Sequence, residues 1–214
     1  MASMTLDELV VPDTAASAAA LEVASAHFSP ALLNHSVRVY VWAAAHGTSQ
    51  NIRFDPELIY VASMFHDLGM MPEFDSHTLS FEEAGGNLAR VFATGAGWPV
   101  ERRERLSELI FRHILGDRVE VSIDPEGHLL ARSAGVEITG KHADDFPPDF
   151  RAEVLQRYPR LGFIEEFLAC SHEQAQRKPD SSPGGWIRAD LDTRMAANPL
   201  DDPSLRPPTG NDRQ

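Results

Sequence analysis

The sequence contains very little cysteine, and it has no long apolar run. Among its 214 residues there is one cysteine, Cys170, which excludes an internal disulfide and indicates a reducing compartment. No apolar stretch approaches the roughly 18 to 20 residues of a membrane-spanning helix. The first cationic side chain is Arg38, so no basic segment precedes an apolar one as it does in a signal peptide. These absences predict a cytoplasmic protein without a membrane partner.

Positive charge is also scarce, with 19 lysines and arginines against 32 acidic residues and a net charge of −13. This balance argues against a general nucleic-acid surface or an anionic-membrane surface. The glycine-rich segment Gly95-Ala96-Gly97 lacks the further glycine and the lysine of nucleotide-binding loops. No elbow sequence surrounds a nucleophilic serine. We therefore expect a small-molecule substrate and no nucleic-acid partner, while a monomer and a homo-oligomer both stay open.

What the sequence does contain is helical patterning. Hydrophobic residues make up 43% and charged residues 24%, which is ordinary for a globular protein. No segment alternates as a strand does, and the apolar spacing and capping signals predict an all-α fold of about seven helices. These are expected at Pro30 to Ala45, Asp55 to Phe65, Ser80 to Phe92, Trp98 to His113, His128 to Thr139, a short helix from Pro147, and Leu161 to Gln176.

The expected organisation is one helical domain with irregular ends. Residues 1–20 are predicted to form a loose lead-in, and residues 116–127 a loop within the domain. The domain itself is expected to span residues 21–192. Residues 193–214 contain prolines, aspartates and arginines with few apolar side chains, which predicts an irregular tail.

The pair His66-Asp67 stands out because it follows the apolar end of a predicted helix. A carboxylate buried at such a position is costly to desolvate unless it is paired or bound to a metal. A divalent cation of borderline or hard character accepts both imidazole nitrogen and carboxylate oxygen. The pair therefore indicates a metal site.

Two further ligands are expected from other helices. His35 interrupts the apolar row of its helix and so faces the core, which makes it the third candidate ligand. Glu137 shares a helical row with apolar residues and is the expected fourth ligand. Asp144 or Asp145, just beyond the end of that helix, is the alternative that the pattern leaves open.

His35, the pair His66-Asp67 and a later acid resemble the HD-domain superfamily of metal-dependent hydrolases, whose motif is H…HD…D. A wider set of segments, in family order, resembles the branch that includes the fungal cyanamide hydratases. The chain departs from the family pattern where Glu137 stands in place of the usual aspartate. The matching segments are His35-Ser36-x-Arg38-Val39, Asp55-Pro56-Glu57-Leu58, His66-Asp67-Leu68-Gly69, Ser80-Phe81-Glu82, Arg112-His113, Tyr158-Pro159-Arg160-Leu161-Gly162-Phe163 and Lys178-Pro179.

The resemblance implies one divalent metal ion, zinc first and iron or manganese as alternatives, that activates water. It places His113 in a pocket near the metal, where the histidine would move a proton, and Asp67 is a second group for that role. His77, in the loop ten residues after the pair, is the third catalytic candidate because it could reach the same cleft.

Three functions follow from the resemblance. A hydratase or hydrolase would direct water to a small molecule such as a nitrile or a cyanamide-like compound. A phosphohydrolase would act on a nucleotide or phosphate ester, and a sensor domain would keep the metal without turnover. The hydratase is favoured over the phosphohydrolase, because the cyclic-dinucleotide phosphodiesterase branch tends to have lysine where this chain has Met70, and because basic residues are few.

Overall fold

Ten α-helices make up most of the computed structural model, which describes residues 5–9 and 11–202, and no strand occurs in these ranges. The all-α prediction is confirmed. All seven predicted helices are present, and α1, α9 and α10 are additional. The helices are α1 (Ala15–His27), α2 (Pro30–Ser49), α3 (Pro56–Phe65), α4 (Phe81–Gly95), α5 (Val100–Arg112), α6 (Pro125–Thr139), α7 (Pro148–Arg157), α8 (Phe163–Arg177), α9 (Ser182–Arg188) and α10 (Leu191–Ala196).

Helix starts follow the capping signals of the sequence. The side chain of Asp55 accepts a hydrogen bond from the backbone N–H of Leu58 at the start of α3. Asp124 does the same for the N–H of Gly127 at the start of α6. Helix α6 therefore begins at Pro125, and the predicted loop over residues 116–127 is wrong at its end, because Asp124-Pro125 is itself a start signal.

Both predicted irregular ends contain packed structure. Helix α1 begins within the expected lead-in, where Ala20 is fully buried, and it packs on α3. The expected tail from residue 193 contains the second half of α10 and a 3-10 turn over Pro199–Asp201, whose Leu200 is 2% exposed. The rest of the predicted tail, residues 203–214, lies outside the described residues.

Helix α2 lies at the centre of the bundle, in contact with α3, α6 and α8. The larger apolar cluster joins these helices through fully buried side chains such as Val39 and Ile59. A second cluster lies around Trp42 and includes Leu6 and Leu200 from the two ends of the described chain. Among the described residues, no helix combines the length and apolar character needed to cross a bilayer.

Candidate metal centre

Three of the side chains predicted as metal ligands lie together in the core. His35 comes from α2, while His66 and Asp67 directly follow α3. Nε2 of His35 lies 3.1 Å from Nε2 of His66 and 3.1 Å from Oδ2 of Asp67, and Nε2 of His66 lies 3.3 Å from the same oxygen. One ligand atom from each residue lies within 4.8 Å of the others, a spacing that could hold a metal ion. We call this group the His-His-Asp cluster.

A close backbone contact positions the pair that follows α3. His66 ends the helix and Asp67 precedes a 3-10 turn over Leu68–Met70. A Cβ atom on Gly69 would lie 2.1 Å from the carbonyl oxygen of Phe81 at the start of α4. Only glycine allows this approach. The glycine of the His-Asp-Leu-Gly sequence therefore lets the turn that carries the cluster pack closely on α4.

Hydrogen bonds to backbone carbonyls determine which nitrogen of two rings carries the proton. Nδ1 of His66 donates to the carbonyl oxygen of Ser63 at 2.8 Å. Nδ1 of His113 donates to the carbonyl oxygen of Ile110 at 2.5 Å. Because a carbonyl oxygen can only accept, the proton of each neutral ring lies on Nδ1 and the lone pair on Nε2.

The same arrangement holds for His35, whose Nδ1 donates to Oε2 of Glu137 at 3.2 Å. Three Nε2 atoms therefore turn toward Asp67, and that of His113 lies 3.8 Å from its Oδ1 atom. Two imidazole lone pairs only 3.1 Å apart, as in His35 and His66, require a proton or a metal ion between them. Two imidazole nitrogens and a carboxylate oxygen form a donor set that fits a divalent transition metal.

The charge states of the cluster agree with this interpretation. Burial lowers the pKa of His66 to about 4. Burial also opposes charge on His35, but its hydrogen bonds to Asp67 and Glu137 raise its pKa above the ordinary value of 6.5. Burial alone would raise the pKa of Asp67, but the neighbouring histidines lower it. The shifts of His66 and Asp67 favour a neutral imidazole and an anionic carboxylate, the forms of these groups that bind a metal ion.

Glu137 lies behind His35, on the side away from the cluster. Its Oε2 atom accepts from Nη2 of Arg38 at 2.6 Å and from Nη1 of Arg160 at 3.2 Å, and its Oε1 atom accepts from Nε1 of Trp42 at 2.7 Å. Burial would raise the pKa of Glu137, but Arg38, His35 and Arg160 hold it well below its usual range. Because its oxygens bind donors of the chain, we propose that Glu137 orients His35, in place of the metal-ligand role that the sequence pattern predicted.

The 3-10 turn near the end of the described chain braces the same network. Nδ2 of Asn198 donates to the backbone carbonyl oxygen of Glu137 at 2.8 Å. Nε of Arg160 donates to Oδ1 of Asp201 at 2.8 Å. We call Asn198–Asp201 the C-terminal brace, because it fixes both Glu137 and one of the arginines that bind it.

The remaining sequence candidates lie away from the cluster. His77 is exposed in the loop before α4 and does not line the cavity that contains the cluster. The side chain of Asp144 is 94% exposed and pairs with Arg151 at 3.1 Å, while Asp145 pairs with Arg132. The structure therefore does not bring His77, Asp144 or Asp145 to the site.

Sequence reasoning missed the partners of Glu137. Arg38 is fully buried and Arg160 is 6% exposed, although charged residues are rarely buried unless they are paired. Arg38 stands three residues after His35 on the same helix face, and that spacing is the signal that could have revealed it. Trp42 lies seven residues after His35 in the same helical row, whereas Arg160 carried no comparable periodic signal.

The cluster and His113 line a cavity with a volume of about 390 Å³. Helices α6, α8, α9 and α10 and the 3-10 segment His113–Arg118 form its walls. His113, the first residue of this segment, is 5% exposed, and its Nε2 lies 3.8 Å from Oδ1 of Asp67. The cavity gives a small molecule access to the cluster.

A helical bundle with one histidine on an early helix and a His-Asp pair after the next is the arrangement of an HD domain. The HD-domain family model matches residues 32–145, more than half of the chain, and the chain belongs to this family. It is of the general kind of the family's metal-dependent hydrolases, and the recognition drawn from the motifs is confirmed.

Two curated relatives are the cyanamide hydratases DDI2 and DDI3 of Saccharomyces cerevisiae. Each is 27% identical to this chain over 164 residues, covering 74% of this chain and 72% of the relative. This similarity supports the general kind of enzyme without specifying a substrate.

Proposed function

We propose that this protein is a metal-dependent hydratase that adds water to the C≡N bond of a small molecule, with zinc as the first choice of cation. The observation that carries the proposal is the orientation of three imidazoles. His35, His66 and His113 each direct Nδ1 away from the cluster and Nε2 toward Asp67. The names of the two yeast relatives supply the reaction type.

The chain provides ligands, a proton acceptor and a polar environment for such a reaction. His35, His66 and Asp67 would hold the metal ion. When bound, a divalent cation supplies water activation, lowering the pKa of water from about 15.7 toward 7. Hydrating a nitrile to an amide moves both protons of water to the nitrogen, the first of them as the C–O bond forms. Nε2 of His113, which carries the lone pair of the neutral ring, is placed to accept and return that proton.

Metal content and substrate screening test this proposal directly. The protein, purified without a metal-binding tag, is analysed for metal and then assayed with cyanamide, aliphatic nitriles, nucleotides and phosphate esters. We expect about one equivalent of metal and turnover of a C≡N compound. His66→Ala and Asp67→Ala should lose both metal and activity, whereas His172→Ala, at an exposed histidine, should keep both.

Three results would contradict the proposal in different ways. Turnover of phosphate esters alone would make the protein a phosphohydrolase. Stoichiometric metal without turnover of any compound would favour the sensor function. Full metal content in His66→Ala would refute the cluster as the metal site.

A further inference from the structure

The cavity beside the cluster is much larger than the substrate named by the yeast relatives. Cyanamide has three non-hydrogen atoms. The cavity measures about 390 Å³, whereas one water occupies ~30 Å³ in the liquid. Cyanamide would leave most of this space to water, and a pocket that binds its substrate well buries most of the ligand surface. The volume therefore indicates a larger molecule.

The walls of the cavity are mainly apolar. They include Ala131 and Phe167, both buried, and the partly buried Ile114, Ile138 and Trp186. Removing an apolar surface from water against such walls is favourable. A hydrocarbon or aromatic body fits this part of the cavity.

The exposed part of the cavity carries an excess of positive charge, although the protein as a whole is acidic. Arg118, Lys141, Arg194 and Asp117 line it and are exposed. Asp117 is neutralised by Lys141, whose Nζ lies 2.6 Å from its Oδ2. No carboxylate of the described residues pairs with Arg118 or Arg194, and the Nε of Arg118 donates only to a backbone carbonyl. Two guanidinium groups thus remain available at the opening.

We infer that the substrate is an elongated molecule with three parts. Its reactive group lies at the His-His-Asp cluster, its apolar body lies along the walls, and an oxyanion at its far end binds Arg118 and Arg194. The oxyanion is a carboxylate or a phosphate, since a guanidinium binds both in the same way. The position of the reactive group rests on the proposed function, whereas the oxyanion site rests on the cavity alone.

Binding of hydroxamates to the metal-loaded protein tests the inference without requiring turnover. A hydroxamate group binds metal, so acetohydroxamate reports the metal site by itself. The monohydroxamates of succinic, adipic and suberic acid add a distal carboxylate at three lengths. Straight-chain hydroxamates of the same lengths are the neutral controls, and ω-phosphonate analogues distinguish phosphate from carboxylate.

We expect the distal oxyanion to lower Kd by roughly three- to tenfold at the length that spans the cavity, and the gain to shrink with added salt. The double variant Arg118→Gln/Arg194→Gln should lose this gain while binding acetohydroxamate as the wild type does. The control variant Arg53→Gln/Arg157→Gln makes the same change of charge at exposed arginines outside the cavity, and it should keep the gain.

An equal Kd for charged and neutral hydroxamates at all three lengths would overturn the inference, as would an undiminished gain in the double variant. In both cases, binding of acetohydroxamate would still support the metal site. If acetohydroxamate itself failed to bind, that result would refute the metal centre of the proposed function. It would also refute the three-part substrate, whose reactive group is placed at that centre.

Discussion

The three histidines that face Asp67 differ in the group that accepts the hydrogen bond from Nδ1. His66 and His113 donate Nδ1–H to neutral carbonyl oxygens, whereas His35 donates to the carboxylate of Glu137. A carboxylate behind a ligating imidazole fixes the ring and raises the basicity of its other nitrogen. We therefore expect His35 to be the strongest nitrogen donor of the cluster.

The contribution of Glu137 can be measured with Glu137→Gln. The amide keeps the shape but loses the charge, so His35 becomes a weaker donor and Arg38 keeps a buried charge without its partner. We expect metal affinity to fall about 10- to 100-fold and the free energy of unfolding of the metal-free protein to fall by about 3 to 5 kcal/mol. Metal titration and urea unfolding measure the two effects.

A control variant that loses stability away from the site separates the effect on metal affinity from the effect on stability. Val154 is fully buried in the second apolar cluster, and Val154→Ala should lower stability with little change in metal affinity. Unchanged metal affinity in Glu137→Gln would show that the carboxylate serves the fold alone.

Hydrophobic periodicity determined which parts of the site could be predicted from the sequence. Polar residues within apolar rows, such as His35 and Glu137, were correctly predicted to face the core. Periodicity gives the face of a helix but not the atom it meets there, so it could not show that Glu137 lies behind His35. His77 is exposed in a loop, where no periodic pattern constrains a side chain.

At the scale of elements, the metal centre depends on how closely α4 approaches the turn after α3. Gly69 faces the carbonyl oxygen of Phe81, and Gly85 lies beside the carbonyl oxygens of Phe65 and His66. The two small residues allow backbone to pack on backbone. The position of His66 and Asp67 is therefore set by helix packing as well as by the turn itself.

Gly69→Ala should disturb this packing and the cluster together. A Cβ atom 2.1 Å from a carbonyl oxygen forces the turn and α4 apart. We expect a lower melting temperature and weaker metal binding. Gly95→Ala is the matched control, because its Cβ would meet nothing within 4 Å, and alanine is the better helix former by up to about 1 kcal/mol. Equal behaviour of the two variants would argue against a role for the close contact.

Start and stop residues predicted seven helices well, and the three missed helices show the limits of those signals. Helix α1 buries alanines at four-residue spacing, Ala16, Ala20 and Ala24, which form a small apolar face that hydropathy barely registers. Helix α9 begins at Ser182-Pro183 and contains two glycines, residues that indicate a loop when they are taken one by one. Tertiary packing therefore determined that these segments are helical.

Two shortened chains test the C-terminal brace. The sequence pattern predicts that a chain ending at residue 197 is intact, but the structure buries Asn198 and Leu200 and joins Asn198 to Glu137. We expect a chain ending at residue 197 to have a lower melting temperature and weaker metal binding than one ending at residue 202. Identical melting temperatures and metal affinities would mean that the brace contributes nothing to the site.

At the scale of the whole molecule, acidic residues outnumber basic ones, yet several carboxylates are stabilised as anions by arginines. Asp124 is 4% exposed, caps α6 and pairs with Arg105 and Arg112. Burial opposes the charge of Asp124, but Arg105 and the N–H of Gly127 lower its pKa below the ordinary value. Such a group stabilises the fold at neutral pH.

The pH dependence follows from the sign of that shift. A carboxyl with a lowered pKa in the folded state contributes fully above its unfolded pKa of about 3.9, and the contribution is lost as pH falls through the folded pKa. Asp124→Asn should therefore be less stable than wild type at pH 7, and the difference should shrink below about pH 4. Urea unfolding across this range, with the exposed Asp180→Asn as control, measures it. Asparagine can still cap α6, so a difference that does not depend on pH would argue against the ion pairs with Arg105 and Arg112 as its source.

The C-terminal brace also has a consequence for biosynthesis. A ribosome releases the residues in order, so His35, His66 and Asp67 emerge well before Asn198 and Asp201. Until the brace arrives, the backbone carbonyl of Glu137 lacks its bond from Asn198 and Arg160 lacks its bond to Asp201. We therefore expect the three candidate ligands to reach their final orientation only after residue 201 has emerged, so that tight metal binding is delayed until then.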